Sequence, residues 1–158
     1  MVSAQDVQVY PKPGLVAPVY SVAFSPDGKY ILSGHRGNIV KRWDIATGSV
    51  TGTFADRTGN VNSVAVSPDG RFSLSVSQDG TIRLGDISTG QEIARLIAFN
   101  DGEWIVITPD GYYNASPRGD EYLSVRIDDE VYGMDQFSEI FYQPEVVEAR
   151  LQGGKDGV

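Results

Sequence analysis

Short runs of apolar and β-branched residues alternate along this chain with clusters of Ser, Pro, Asp and Gly. Residues 20–24 form one such run, and Ser25-Pro26-Asp27-Gly28 follows as a turn. Proline at the second turn position presets φ, and glycine accepts the positive φ that other residues resist. Residues 30–33 and 39–43 predict two more strands, Asp44-Ile45-Ala46-Thr47-Gly48 turns the chain, and 49–54 predicts a fourth. The same order then recurs. Residues 61–66 and 72–76 predict strands, Gln78-Asp79-Gly80 a hairpin turn and residues 81–84 another strand, and residues 86–90 match the earlier turn at 44–48. An Asp-Gly pair between two strands is a strong short-range hairpin signal.

The recurrence is close to literal. Val19-Tyr20-Ser21-Val22-Ala23-Phe24-Ser25-Pro26-Asp27-Gly28 returns 42 residues later as Val61-Asn62-Ser63-Val64-Ala65-Val66-Ser67-Pro68-Asp69-Gly70. A third, worn copy lies 41 residues further on, around Trp104-Ile105-Val106-Ile107-Thr108-Pro109-Asp110-Gly111. A period of this length means that the fold is read per unit. Four short strands per unit with no helical stretch between them fit one blade of a β-propeller.

These units resemble the WD-repeat β-propeller family. The resemblance rests on the two Ser-Pro-Asp-Gly turns, on Asp79-Gly80-Thr81-Ile82-Arg83-Leu84 and on the dipeptide Trp43-Asp44. It covers residues 15–97 well and extends in weaker form to 127. The chain also departs from the family pattern. Gly85-Asp86 stands in place of a Trp-Asp pair, Gly37-Asn38 in place of an Asp-Gly turn, and Asp56-Arg57 in place of a Gly-His pair. The resemblance implies a buried His, Ser or Thr, Asp and Trp tetrad per blade, and no unit keeps all four. Gly102-Glu103-Trp104, residues 108–116 and Phe141-Tyr142-Gln143-Pro144 resemble a segment that follows WD repeats in large bacterial proteins, some of them fused to caspase-like peptidases.

Nine of the 16 aromatic residues fall between Phe99 and Tyr142. A compact core where a degenerate blade meets its cap accounts for them; an exposed aromatic docking face is the competing reading. After that segment the period changes. Met134, Phe137, Ile140 and Phe141 recur at helical spacing. Pro144 suits the first turn of a second short helix carrying Val147 and Leu151 on one face, and Gly153-Gly154 ends it. The expected organisation is therefore an all-β partial propeller over 1–133, with blades at about 15–54, 55–97 and 98–133 and a lone N-terminal strand at 5–10. A helical cap over 134–154 and a tail over 155–158 complete it.

Composition narrows function. The net charge is −8, with 21 acidic against 13 basic residues, and no run of five like charges exists. Nucleic acid or an anionic membrane as main partner would need clustered Lys and Arg. There are no cysteines, which removes disulfides and thiolate chemistry. The start has no signal-peptide pattern and no apolar run approaches the ~20 residues that span a bilayer, so a cytoplasmic protein is expected.

Catalysis finds little to build on. His35 is the single histidine, read here as a turn or structural residue, and no nucleophile, base and acid set can be assembled around it. No catalytic residue, cofactor or metal site is expected. Asp128-Asp129-Glu130 reads as a solvated hairpin turn, because the alternating ligand spacing of a calcium loop is missing. The resemblance implies a non-catalytic scaffold that holds a protein or peptide on the loop face of the ring. Mapped onto this chain, that face takes Tyr20, Asn62 and Glu103 at the inner strand starts, Arg36 and Gln78 in hairpins and Arg57 between blades.

Three blades cannot close a ring. A homo-oligomer, a dimer before a trimer, with strands exchanged between chains, would close it. Two alternatives stand beside this reading. One is a propeller-to-effector module of a larger bacterial protein; the other is a carboxylate-based hydrolase.

Overall fold

The computed structural model describes residues 10–12, 14, 16–55 and 59–153. The first repeat folds as an antiparallel sheet of β1 (Val19–Phe24), β2 (Tyr30–His35), β3 (Ile39–Asp44) and β4 (Val50–Ala55), in that spatial order. The second begins a new sheet with β5 (Val61–Val66), β6 (Phe72–Ser77), β7 (Thr81–Asp86) and β8 (Glu92–Ala98). Local chemistry sets the turns. Asp27 accepts the Ser25 hydroxyl at 2.7 Å and the Lys29 amide at 3.1 Å, and Ser25 Oγ accepts the Tyr30 amide at 3.0 Å. The second unit repeats all three bonds with Ser67, Asp69, Arg71 and Phe72. Gly28 and Gly70 sit at φ 70° and 74°, where a side chain would be strained.

The two sheets stack face to face. Strand alternation puts Ala23, Leu32 and Val40 on one side of the first sheet, and these meet Val61, Val64, Val66 and Ile87 in a shared core. Gly34 permits a close approach: a methyl group there would lie 2.8 Å from Val61 Cγ1. Polar bonds fix the stacking. The Tyr30 hydroxyl donates to Gly70 O at 2.9 Å, the Val64 amide to Ser21 Oγ at 3.1 Å, and Arg42 Nη1 to Ile87 O at 2.7 Å.

The third unit departs from the expected blade at 98–133. Its strands β9 (Trp104–Ile107) and β10 (Tyr113–Ala115) add to the edge of β8, giving one six-stranded sheet ordered β10-β9-β8-β7-β6-β5. The cause is a tight return after β8. The Phe99 amide bonds Glu103 O at 2.8 Å, the Gly102 amide bonds Phe99 O at 3.1 Å, and Gly102 takes φ 90°. A hairpin forms there, and the chain pairs with the strand it has just left. The remaining strands, β11 (Ser124–Ile127) and β12 (Glu130–Gly133), form a separate hairpin whose turn is Asp128-Asp129, with Asp128 at φ 53°. The described residues thus form two stacked sheets and a hairpin, and they close no ring.

The cap follows as α1 (Ser138–Phe141) and α2 (Pro144–Leu151), with Pro144 in the first turn. Val147 is buried against Ala94 and Val106, with Leu151 and Tyr112 beside it. A second cluster centres on Ile105, Tyr113 and Met134 and takes in Phe99, Phe137 and Phe141. The aromatic segment is mainly core. Tyr113 pairs with Tyr142 in a parallel bridge and the Gln143 amide donates to Tyr113 O, so the chain covers the outer edge of β10. Among the described residues no helix is long and apolar enough to cross a membrane. Apart from Tyr10, the predicted strand at 5–10 lies outside the described residues, as do Gly154 and the tail.

Candidate functional site

Both sheets carry the same construction at one end. β1 and β5 each begin with a bulge, between Val19 and Ser21 and between Val61 and Ser63. A bulge inserts an unpaired residue and re-aims its side chain. The residues inserted are Tyr20 and Asn62, both exposed. Beside them stand the β2–β3 and β6–β7 hairpins, with exposed Arg36 and Gln78. The Arg36 amide donates to Pro18 O at 3.0 Å, and the Gln78 amide to Asn60 O at 2.9 Å, one repeat later.

Asn60 joins these two places and is absent from the sequence-based site. Its Oδ1 accepts the Gly37 amide at 3.0 Å, and its Nδ2 donates to Gln78 Oε1 at 2.9 Å. The hairpin of the first sheet is thereby tied to that of the second, and Tyr20, Arg36, Asn62 and Gln78 lie at a common end. Only the position of Asn60, immediately before Val61, marks it in the sequence. Arg57 lies outside the described residues.

Glu103 also lies at this end, immediately before β9, but its carboxylate is engaged within the chain. Oε2 accepts the Ser116 hydroxyl at 2.5 Å and the Arg118 amide at 3.1 Å, and Oε1 accepts Arg118 Nε at 3.3 Å. The Ser116 bond, then the Arg118 amide, holds the carboxyl below the usual carboxylate range. Asp101 is lowered too, first by the Tyr122 hydroxyl at 2.6 Å. Glu103 therefore fastens the loop after β10 to the strand end.

His35 is not on a turn. It ends β2, buried, with Nε2 2.8 Å from Ser33 Oγ. That oxygen accepts the Trp43 Nε1–H at 2.7 Å. A neutral imidazole completes the chain from indole to hydroxyl to ring by accepting at Nε2. Burial first, then the charge of Lys41, pushes the His35 pKa down. Three residue types of the expected tetrad are thus assembled in the first sheet, with the histidine supplied by the strand itself. This is a structural network: the Ser33 hydroxyl and His35 are both buried, and among the described residues His35 Nδ1 has no hydrogen-bond partner, so no acid orients the ring as the third member of a catalytic triad would. In the second sheet an ionic set stands in its place: Arg83 is buried, 2.8 Å from Glu92 and 3.6 Å from Asp79.

The family model described as WD domain, G-beta repeat matches residues 9–44 and 48–86. No curated protein matches the chain.

Proposed function

This is a WD-repeat chain, and we propose that it serves as a non-catalytic scaffold holding a protein or peptide partner against the bulge-and-hairpin end of its sheets. WD repeats generally mediate protein–protein interaction. The observation that carries the reading is the paired placement of Tyr20 with Arg36 and of Asn62 with Gln78 across the Asn60 joint. Tyr and Arg are frequent hot spots at interfaces, and here both are exposed on a backbone fixed by hydrogen bonds. Arg57, outside the described residues, is assigned to the same face by its place between the two repeats in the sequence, and Glu103 contributes by shaping its border. The test is capture of cellular proteins by immobilised wild-type chain and by a Tyr20→Ala/Arg36→Ala variant with an unchanged circular dichroism spectrum. A partner retained by the first and lost by the second is the result expected. A partner retained equally by both refutes this face.

A second reading concerns assembly. Each sheet leaves an apolar face uncovered, on opposite sides of the stack. One carries Val22 and Phe24, the latter 67% exposed; the other carries Leu74, Val76 and Ile82, near 40% each. In the stack itself, faces of these two kinds bury one another. A second copy meeting these faces would close a ring of paired sheets, a dimer before a trimer, in the bacterial cytoplasm. Extension by further repeats of a larger protein would cover the same faces.

A further inference from the structure

We propose that the cleft beside Gly85 is a binding site for an indole ring, presented by a tryptophan side chain of the partner. Trp43 and Gly85 hold the same place in two repeats. Trp43 lies opposite Ile31 and Val50, Gly85 opposite Ser73 and Glu92, and the register shifts at this point of the third strand in both sheets. In the first sheet an indole fills the place. Its Nε1 donates to Ser33, and Lys41 Nζ lies 5.8 Å from the ring centroid. In the second sheet residue 85 has no side chain, and a cavity of about 540 Å³ opens there. That volume is within the range of small-ligand sites.

The walls suit a flat aromatic ring. Arg83 takes the place of Lys41 and is buried on this wall, braced by Glu92 at 2.8 Å. A guanidinium held flat in a low-dielectric wall attracts an aromatic face. Phe54 reaches across from the first sheet and lies over Gly90, so close that a methyl on Gly90 would sit 2.6 Å from its ring. Val40 extends that apolar wall, and the Arg150–Asp110 pair at 2.9 Å closes the outer end. Ser73 and Glu92 line the cleft and offer acceptors to a ring N–H, although the counterpart of Ser33 itself is Ser75, which is buried outside the lining. Both arginines are matched by carboxylates, which favours a neutral ring over an anion. The cleft is tight at the backbone and widens away from it: a methyl on Gly85 would lie 3.0 Å from Ser73 Oγ and 3.4 Å from Gln91 O, so a ring from outside fits without the close contact that a side chain at residue 85 would make until Ser73 turns aside.

The inference rests on the partner-binding reading for the carrier of the ring, and its test uses no partner. The probe is N-acetyl-5-fluorotryptophanamide, followed by fluorine NMR with the wild-type chain, while nitrogen–proton spectra map the site. Saturable binding is expected with a dissociation constant on the order of 1 mM. Amide shifts should centre on Gly85, Gly90 and Gln91. Gly85→Trp should fill the cleft from within, weaken the probe at least ~10-fold and raise the melting temperature by ~3 °C. Ser73→Leu blocks the same space from β6 and serves if Gly85→Trp does not fold. No saturation by about 10 mM probe, shifts centred elsewhere, or undiminished binding to the folded blocking variant each overturns the site. Failure of the Tyr20/Arg36 variant would refute the loop face and leave this result standing; the converse holds as well.

Discussion

One methyl group at Gly34 tests how the two sheets stack. Gly34 is buried in β2 and faces β5 of the second sheet. An alanine Cβ there would lie 2.8 Å from Val61 Cγ1, 3.2 Å from Val64 Cγ1 and 3.3 Å from Val61 Cβ. Carbon atoms prefer about 3.5–4.0 Å, so the contact is repulsive. Val61 has 0% exposure and cannot swing into solvent. Overpacking of this kind costs about 1–3 kcal/mol. Against it stands a gain of about 0.5–1 kcal/mol from replacing glycine within a strand. The net expectation for Gly34→Ala is a loss of ~1–2 kcal/mol. In urea, where m is about 1–3 kcal/mol/M, the midpoint should fall by roughly 0.5–1 M with m unchanged.

A second substitution separates this clash from a general intolerance of β2. Val61→Ala alone removes buried methyl groups and should cost about 2 kcal/mol. In the double variant the space left by Val61 receives the new methyl. The combined loss should then be smaller than the sum by ~1 kcal/mol or more, a coupling typical of residues in contact. Additive losses, or a Gly34→Ala variant as stable as wild type, would refute the close approach and with it this stacking of the sheets.

The other predictions address assembly and the His35 network. Light scattering during size exclusion should give twice the 17.1 kDa chain mass; a stable monomer at low micromolar concentration removes the closed ring. For His35 the folded pKa lies below the ordinary 6.5, through burial and Lys41. Stability should be level above about pH 7 and fall as pH drops through 6.5, where the unfolded chain takes up a proton that the folded one resists, and level off below the folded pKa. The slope is at most one proton, about 1.4 kcal/mol per pH unit. Denaturant titrations from pH 7.5 to 5 check it. His35→Asn should abolish this segment, and an unchanged slope in that variant would place its origin elsewhere.

The strands of the first two repeats were legible because their turns are chemically explicit. Ser25 with Asp27, and Ser67 with Asp69, write the same hydrogen bonds twice, so register and boundaries follow from local residues alone. The third unit joins the sheet of the second instead of starting its own. The repeat placed Trp104 where a new inner strand should start, while Asp101-Gly102 carried a hairpin signal that joins β9 to β8. The local turn prevailed over the periodic pattern. Glu103 was legible as a strand-start residue, but not its engagement with Ser116 and Arg118, which lie 13 and 15 residues away. His35 is legible in the sequence only as a turn or structural residue; that β2 carries it to Ser33 is visible only in three dimensions.

Positions where the two repeats disagree decide which surfaces are closed. Gly34 admits Val61 and seals the stack; its counterpart Val76 stands on the uncovered face of the second sheet, 40% exposed. Whatever covers that face cannot copy the internal joint, because the space a neighbouring Val61 would need is filled. Trp43 fills its own sheet, whereas Gly85 leaves a cleft lined in part by Phe54 and Val40 of the first. The pairs Gly34/Val76 and Trp43/Gly85 therefore work in opposite directions, one tightening the joint within the chain and the other opening space beside it. A chain of identical repeats would present the same interface at every step. The described residues present a sealed joint, two exposed apolar faces and a cleft at Gly85, and those differences make the surfaces of the two repeats unlike one another.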